Sequence, residues 1–192
     1  MIDNVEIYGL SKSIKASKYP MSVDVSLLND DITPTVERLA QSPKGEGHDN
    51  FLKGIIVRFD LTFTIKAWTE GERYHWFDIV SSQSTMHRIT KFDLDRAYIE
   101  YTDKKIIERM KELVAEYNAE PTPENYLRVL YSNPCGMKLT ADMSVNYRQL
   151  KTIYAQRKNH RLPEWKAFCK WVESLPHSEL ITGSTTNKTE GI

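Results

Sequence analysis

Residues 56–66 alternate without interruption. Val57, Phe59, Leu61, Phe63 and Ile65 fall on one side, and Arg58, Asp60, Thr62, Thr64 and Lys66 on the other. A period of two belongs to an extended strand, whose successive side chains point to opposite faces. Any fold of this chain must therefore supply a sheet and cover one of its faces with apolar side chains. Leu139, Ala141, Met143 and Val145 repeat the pattern, giving a second alternating strand that runs straight into a helix at Asn146. Shorter strand-like pieces lie at 5–8 and 23–25, and the polar stretch 42–50, with Pro43, Gly45 and Gly47, reads as a loop.

The remaining apolar residues recur at the helical period. Asp103 stands before KKIIERMKELVAEYN, where Ile106, Ile107, Met110, Leu113, Val114 and Tyr117 share a face behind an aspartate cap. Thr122-Pro123 opens a short helix to residue 131, stopped by Ser132-Asn133-Pro134. Leu150, Ile153, Tyr154 and Arg157 line one side of the helix after Asn146, and Pro163 opens a last helix with Trp165, Phe168, Cys169, Val172 and Leu175 inward. The segment from Trp68 to about Ser84 also reads as helical, with Tyr74, Phe77, Ile79 and Val80 as its apolar side. Strand-rich and then helix-rich order gives an α+β fold: a central, mostly antiparallel sheet with helices packed on it. The expectation is one domain over residues 1–181 and a flexible tail over 182–192, which is rich in Gly, Ser, Thr and Asn.

The chain of 192 residues carries 26 basic and 26 acidic side chains. It therefore lacks the global positive field that drives binding to nucleic acid or membrane, and any anion site must be local. Its two cysteines, Cys135 and Cys169, have no metal-ligand spacing and read as packing residues. No apolar run is long enough to span a bilayer and the start lacks a leader-like pattern, so the expected location is the cytoplasm.

Basic and polar clusters stand out from this neutral background: Gln83 with Met86-His87-Arg88, Arg128, and Asn146-x-Arg148 with Arg157. A lone helix arginine is ordinarily a solvated or ion-paired surface group. Placement argues for more at Asn146 and Arg148, because free N–H groups and the helix dipole at a helix start favour an anion, and an arginine fork matches phosphate. His75 and His160 read as helix-surface or interface residues, and Trp68, Tyr74 and Trp76 as core packing. Asp93 and Asp95 read as turn chemistry.

In order along the chain, GHDNF at His48, the strand at 56–66, QSTMHRITKFDLDRAY at 83–98, RVLYSNP at 128–134 and MSVNYRQLKTIYAQR at 143–157 resemble the flavin-dependent thymidylate synthases. The resemblance spans residues 46–175. That family carries a histidine loop before a strand, a signature of the form QxxRHRxxSxNExSxRY, a basic RxxLP element, and a strand leading into N-x-R with a later arginine. The N-x-R stretch is the most specific match. In the central signature Gln83, His87 and Arg88 match, whereas Met86 replaces the first arginine, Lys91 the serine and Asp93 the asparagine.

The resemblance implies an α+β homotetramer whose active sites gather residues from more than one subunit. It implies FAD as cofactor, NADPH and methylenetetrahydrofolate as co-substrates, and methylation of dUMP to dTMP without a cysteine nucleophile. By the same resemblance His48, His87, Arg88 and Asn146 would bind the cofactor, and Gln83, Arg128, Arg148 and Arg157 the nucleotide. Arg88 and Arg157 would be the catalytic groups, and no metal is implied. The departures at Met86 and Lys91 keep a second reading open: a nucleotide-sequestering or regulatory protein on the same fold, without transfer chemistry. A third reading makes the basic clusters partners of acidic side chains across an oligomer interface.

Overall fold

A computed structural model of the chain describes residues 1–43 and 45–183. Two long strands are its centre. β2 (Ile56–Thr64) and β4 (Lys138–Asn146) pair antiparallel from Ile56 opposite Asn146 to Thr64 opposite Lys138 with no break in register. β1 (Ile2–Tyr8) pairs antiparallel with the free side of β2, and β3 (Phe77–Ser82) with the free side of β4, so the sheet order is β1-β2-β4-β3. The expected α+β architecture with an antiparallel sheet is the one observed.

Because β2 and β4 stay in register, their apolar alternations coincide. Val57, Phe59, Leu61 and Phe63 join Ala141, Met143 and Val145 in one buried face. Helices α7 (Tyr147–Arg157) and α8 (Pro163–Glu173) cover it. Trp165 meets Phe63 edge-on at 4.9 Å between ring centroids, and Trp171 meets Phe59 at 4.6 Å. The other face is polar and half-buried: Arg58 pairs with Asp142, and the Thr62 and Thr140 hydroxyls bond at 2.8 Å. Shorter helices α1 (Leu10–Ala16), α2 (Pro34–Ala40) and α9 (Glu179–Thr182) join the same core.

A second, smaller cluster lies under α5 (Lys104–Ala119) and α6 (Pro123–Ser132), around Met110, Leu113, Val129 and Met137. Both helices start as the sequence indicates. Asp103 accepts from the Lys105 N–H at 2.7 Å and Thr122 from the Asn125 N–H at 3.2 Å, each satisfying a donor the helix cannot.

The structure corrects several local expectations. β2 ends at Thr64, whose hydroxyl accepts from the Ala67 N–H at 3.2 Å and so caps helix α3 (Ile65–Gly71); Ile65 and Lys66 are helical. The helix expected across 68–84 stops at Gly71, and Phe77–Ser82 is strand. Trp76 takes a left-handed backbone at φ 62°, which ends any helix, and Phe77, Asp78 and Ile79 then pair along the edge of β4, with Val80 at a bulge before the pairing resumes at Ser81. Sheet pairing outweighs a local helical period. Residues 23–25 join no strand; a single 3₁₀ turn spans Val25–Leu27, with Asp24 accepting from the Ser26 N–H at 2.9 Å. Cys169 is buried, and burial, its largest influence, pushes its thiol up to about 11; Cys135 is exposed instead of packed. Trp68 packs in the core, but Trp76 is 67% exposed. Asp95 N–H donates to the Asp93 carboxylate at 3.1 Å, the expected turn. Of the expected tail, Thr182 closes α9 and everything beyond Gly183 lies outside the described residues. No helix among the described residues is long and apolar enough to cross a membrane.

Leu61, fully buried in the centre of β2, gives a direct test of the core. Leu61→Ala should lower unfolding free energy by about 2–5 kcal/mol, read as a shift in urea midpoint at unchanged slope.

Candidate functional site

The site grows from the junction of β4 and α7. Asn146 ends the strand, turns its side chain to accept from the Gln149 N–H at 2.9 Å, and so caps the helix. Two residues later Arg148 reaches Asp49, donating through Nε to Oδ1 at 2.9 Å. Asp49 is only 4% exposed and sits in the 3₁₀ turn His48–Gly54. Its second oxygen takes Lys151 Nζ at 3.1 Å, and the same ammonium donates to the Ala40 and Ser42 carbonyls at 2.6 and 3.0 Å. One carboxylate thus fastens the 3₁₀ turn and the end of α2 to the first turns of α7. The bond to Asp49 uses Arg148 Nε, and among the described residues the terminal guanidinium nitrogens have no partner.

These groups border a cavity of about 730 Å³ at the end of the sheet where β4 stops and β2 and β3 begin. Ile56 and Asn146 lie at its base, α7 lines one wall with Gln149, Thr152 and Gln156, and the turn from Arg73 to Trp76 lines another. Lys53, Arg73, Arg148 and Lys151 face it with Asp49 as the single carboxylate among the lining residues. On a chain of zero net charge this is a local concentration of positive charge beside apolar surface, the environment that draws an anion bearing a ring.

Arg157 lies behind the cavity wall. Its Nε donates to the Tyr74 hydroxyl at 2.7 Å, its Nη1 to Glu70 at 2.8 Å, and its guanidinium stacks on Trp165 at 4.8 Å from the ring centroid. The side chain is 11% exposed. The Tyr74 hydroxyl, which lines the cavity, passes its own proton to Gln156 Oε1 at 2.9 Å. Glu70 also receives Lys66 at 2.9 Å and the Trp165 indole N–H at 3.2 Å, and faces His160 at 3.2 Å. Burial is the largest influence on the Glu70 carboxyl and pushes it up. The Lys66 hydrogen bond and the charges of Lys66, His160 and Arg157 together outweigh burial and hold it below its ordinary value.

The other sequence-selected residues lie elsewhere on the chain. Gln83 continues the β3–β4 ladder: its N–H donates to the Thr140 carbonyl and its Oε1 accepts from the Thr140 N–H, both at 2.9 Å. Thr140 precedes Asn146 by six residues on β4, about 20 Å of extended chain. His87 and Arg88 are exposed on α4 (Thr85–Arg88), beyond Gln83, where Tyr126 holds the Met86 carbonyl at 2.6 Å. Arg128 lies on α6, bonded to Asn125 at 3.2 Å and paired with Glu116 at 2.9 Å, beside a shallower cavity of about 330 Å³. His48 is exposed next to Asp49 and does not line the main cavity. One chain therefore brings Asn146 and Arg148 to the cavity, buries Arg157 behind its wall and distributes the rest over other surfaces.

Sequence reasoning missed Asp49, Lys53, Arg73 and Trp76. Asp49 adjoins the singled-out His48, but nothing in the sequence marks it as buried. The helical reading of the segment hides Arg73, and Trp76 is read there as core packing, whereas it is 67% exposed on the turn that enters β3.

The charge cluster around Glu70 makes a stability prediction. A carboxyl depressed below its ordinary 4.5 contributes stability that is complete above that value and is lost as pH falls through the folded-state value. Glu70→Gln, which leaves Arg157 without a counter-charge, should cost about 3 kcal/mol near neutrality. The difference from the parent protein should shrink on acidification below pH 4.5, measured as urea midpoints across pH.

No protein-family model matches the chain, and no curated protein matches it in sequence. Solved structures do. A crystal structure of the flavin-dependent thymidylate synthase ThyX from Helicobacter pylori complexed with FAD and dUMP superposes with a TM-score of 0.72 at 15% identity, covering 94% of this chain and 97% of that one. A second Helicobacter pylori ThyX structure with FAD and dUMP gives 0.69 at 16% identity, covering 93% and 97%. At such low identity the likeness establishes architecture: over nearly its whole length the chain has the fold of ThyX.

Proposed function

We propose that this chain binds FAD and a pyrimidine nucleotide and transfers a one-carbon (methyl) unit to dUMP or a related nucleotide. The observation that carries the reading is the positively charged cavity at the start of α7, on a fold whose similar solved structures hold FAD and dUMP. The donor set fits nucleotide chemistry. Arg148, held by Asp49, and the exposed Lys53 supply cations for phosphate, the polar side chains of α7 supply hydrogen bonds, and Trp76 and Ile56 supply surface for a planar ring. FAD, when bound, would supply the electron-transfer chemistry, with NADPH as reductant and methylenetetrahydrofolate as carbon donor; the protein supplies binding, orientation and charge.

The proposal calls for more than one chain. Gln83, His87 and Arg88 stand about a strand's length from Asn146 within one subunit, and Arg128 lies on α6. They reach the cavity of Asn146 and Arg148 only if presented by neighbouring copies, as in the homotetramer implied by the sequence resemblance. His48 would act at the cavity rim. Arg157, engaged by Glu70, would act on the site through Tyr74.

A specific observation supports a second reading. Arg157, expected to touch substrate, has its guanidinium bonded to Glu70 and Tyr74, and Met86 stands where the resemblance places an arginine. A nucleotide-binding protein without transfer activity would look like this.

The protein purified with added FAD should show the visible absorbance of bound oxidised flavin, and dUMP should raise its melting temperature, since a ligand of the native state stabilises it. Formation of dTMP from dUMP, NADPH and methylenetetrahydrofolate supports the enzyme reading; binding without turnover supports the second. A protein that takes up neither FAD nor any pyrimidine nucleotide overturns both. Arg148→Ala should weaken dUMP binding about tenfold or more, the loss of charge-assisted bonds to phosphate, measured by calorimetry.

A further inference from the structure

Among the four tryptophans three are packed. Trp165 is fully buried, Trp68 nearly so, and Trp171 is half-buried against Phe59 and Phe168. Trp76 alone stands 67% exposed, and it does so on the wall of the main cavity. A single exposed apolar residue is ordinary, but an indole on the wall of a concave, cation-lined cavity offers a ligand ring a face to lie on. Its backbone is committed to that position. With φ at 62° it reverses the chain between two inward residues: Tyr74, held by Arg157, and Phe77, 5% exposed and packed on Gly71. The neighbouring Arg73 and the facing Lys53 line the same cavity, and among the described residues neither has a hydrogen-bond or ion-pair partner. One aromatic plane and free cations in one cavity match a flat heteroaromatic ring joined to phosphate.

We infer that Trp76 is the ring-stacking platform of the cavity: the ligand's heterocycle lies on its indole while Lys53, Arg73 and Arg148 hold the attached phosphate. This rests on the nucleotide-binding reading and sharpens it, because affinity then depends on the ring as well as on the charge. The ring is that of the pyrimidine nucleotide or that of the flavin. Both share this chemistry, and separate titrations distinguish them.

The test uses the full chain and its intrinsic fluorescence, titrated with dUMP, with FMN and with inorganic phosphate. Two variants separate ring from backbone. Trp76→Asn removes the ring but tolerates the left-handed conformation, and Trp76→Phe keeps an aromatic face. Stacking predicts that dUMP or FMN quenches the parent protein and that Trp76→Phe loses the quench while keeping calorimetric affinity within a few-fold. It predicts that Trp76→Asn binds the same ligand at least about fivefold more weakly, with phosphate affinity unchanged. Equal nucleotide and flavin affinity in Trp76→Asn and the parent overturns the inference and leaves the functional reading standing. So does a Trp76→Asn protein that changes only its oligomeric state by light scattering, which makes the indole a subunit contact. If the parent binds neither dUMP nor FMN, the functional reading falls and this inference with it.

Discussion

The β2–β4 ladder is the constraint on which the rest of the molecule depends. Because the two strands stay in register over their whole length, the inward apolar side chains lie side by side: Val57 beside Val145, Phe59 beside Met143, Leu61 beside Ala141 and Phe63 beside Leu139. A slip by one residue would send each set to the wrong face. The same register fixes where the site is. It sets Asn146 opposite Ile56 and Val145 beside Phe77, so that the start of α7, the 3₁₀ turn before β2 and the turn before β3 all meet at one end of the sheet. The Tyr147 N–H donating to the Ile55 carbonyl at 3.0 Å closes that corner.

Two carboxylates, the buried Asp49 and the half-buried Glu70, then divide the cations of α7 between different tasks. Asp49 takes Arg148 by its Nε and so aims the guanidinium without using it up. Glu70 takes Arg157 together with Lys66 and the Trp165 indole, and buries that arginine among aromatic rings. Two arginines on one helix, similar in sequence context, end in opposite electrostatic situations because different elements face them. Arg148 can give bonds to a ligand. Arg157 gives its bonds to the protein.

Much of the fold was legible in the sequence. The alternations read over 56–66 and 139–145, the starts at Asp103 and Thr122 and the helix after Asn146 translate into observed elements, with β2 ending two residues early, because each is a local rule acting on a few residues. The misread stretch shows what locality leaves out. Phe77, Ile79 and Val80 satisfy a helical period, but the open edge of β4 offers backbone partners that no window of sequence displays. The site was legible only where chain neighbours define it, at Asn146 and Arg148. Asp49 lies 99 residues from Arg148 along the chain, and no local pattern announces that pair. Gln83 and Arg128 stand out in the sequence as polar features of their segments, but their distance from the cavity within one chain is a property of strand length and helix placement.

The small chain Arg157–Tyr74–Gln156 has a directional consequence. A guanidinium can only donate, so the tyrosine oxygen that receives it must hand its single proton onward, and the amide that takes it must turn its oxygen that way. The amide nitrogen of Gln156 is thereby fixed as the end left over, a donor at the wall of the cavity. A charge held behind the wall thus dictates the polarity of a neutral group in front of it, and turns toward a ligand an N–H that suits a carbonyl or phosphate oxygen.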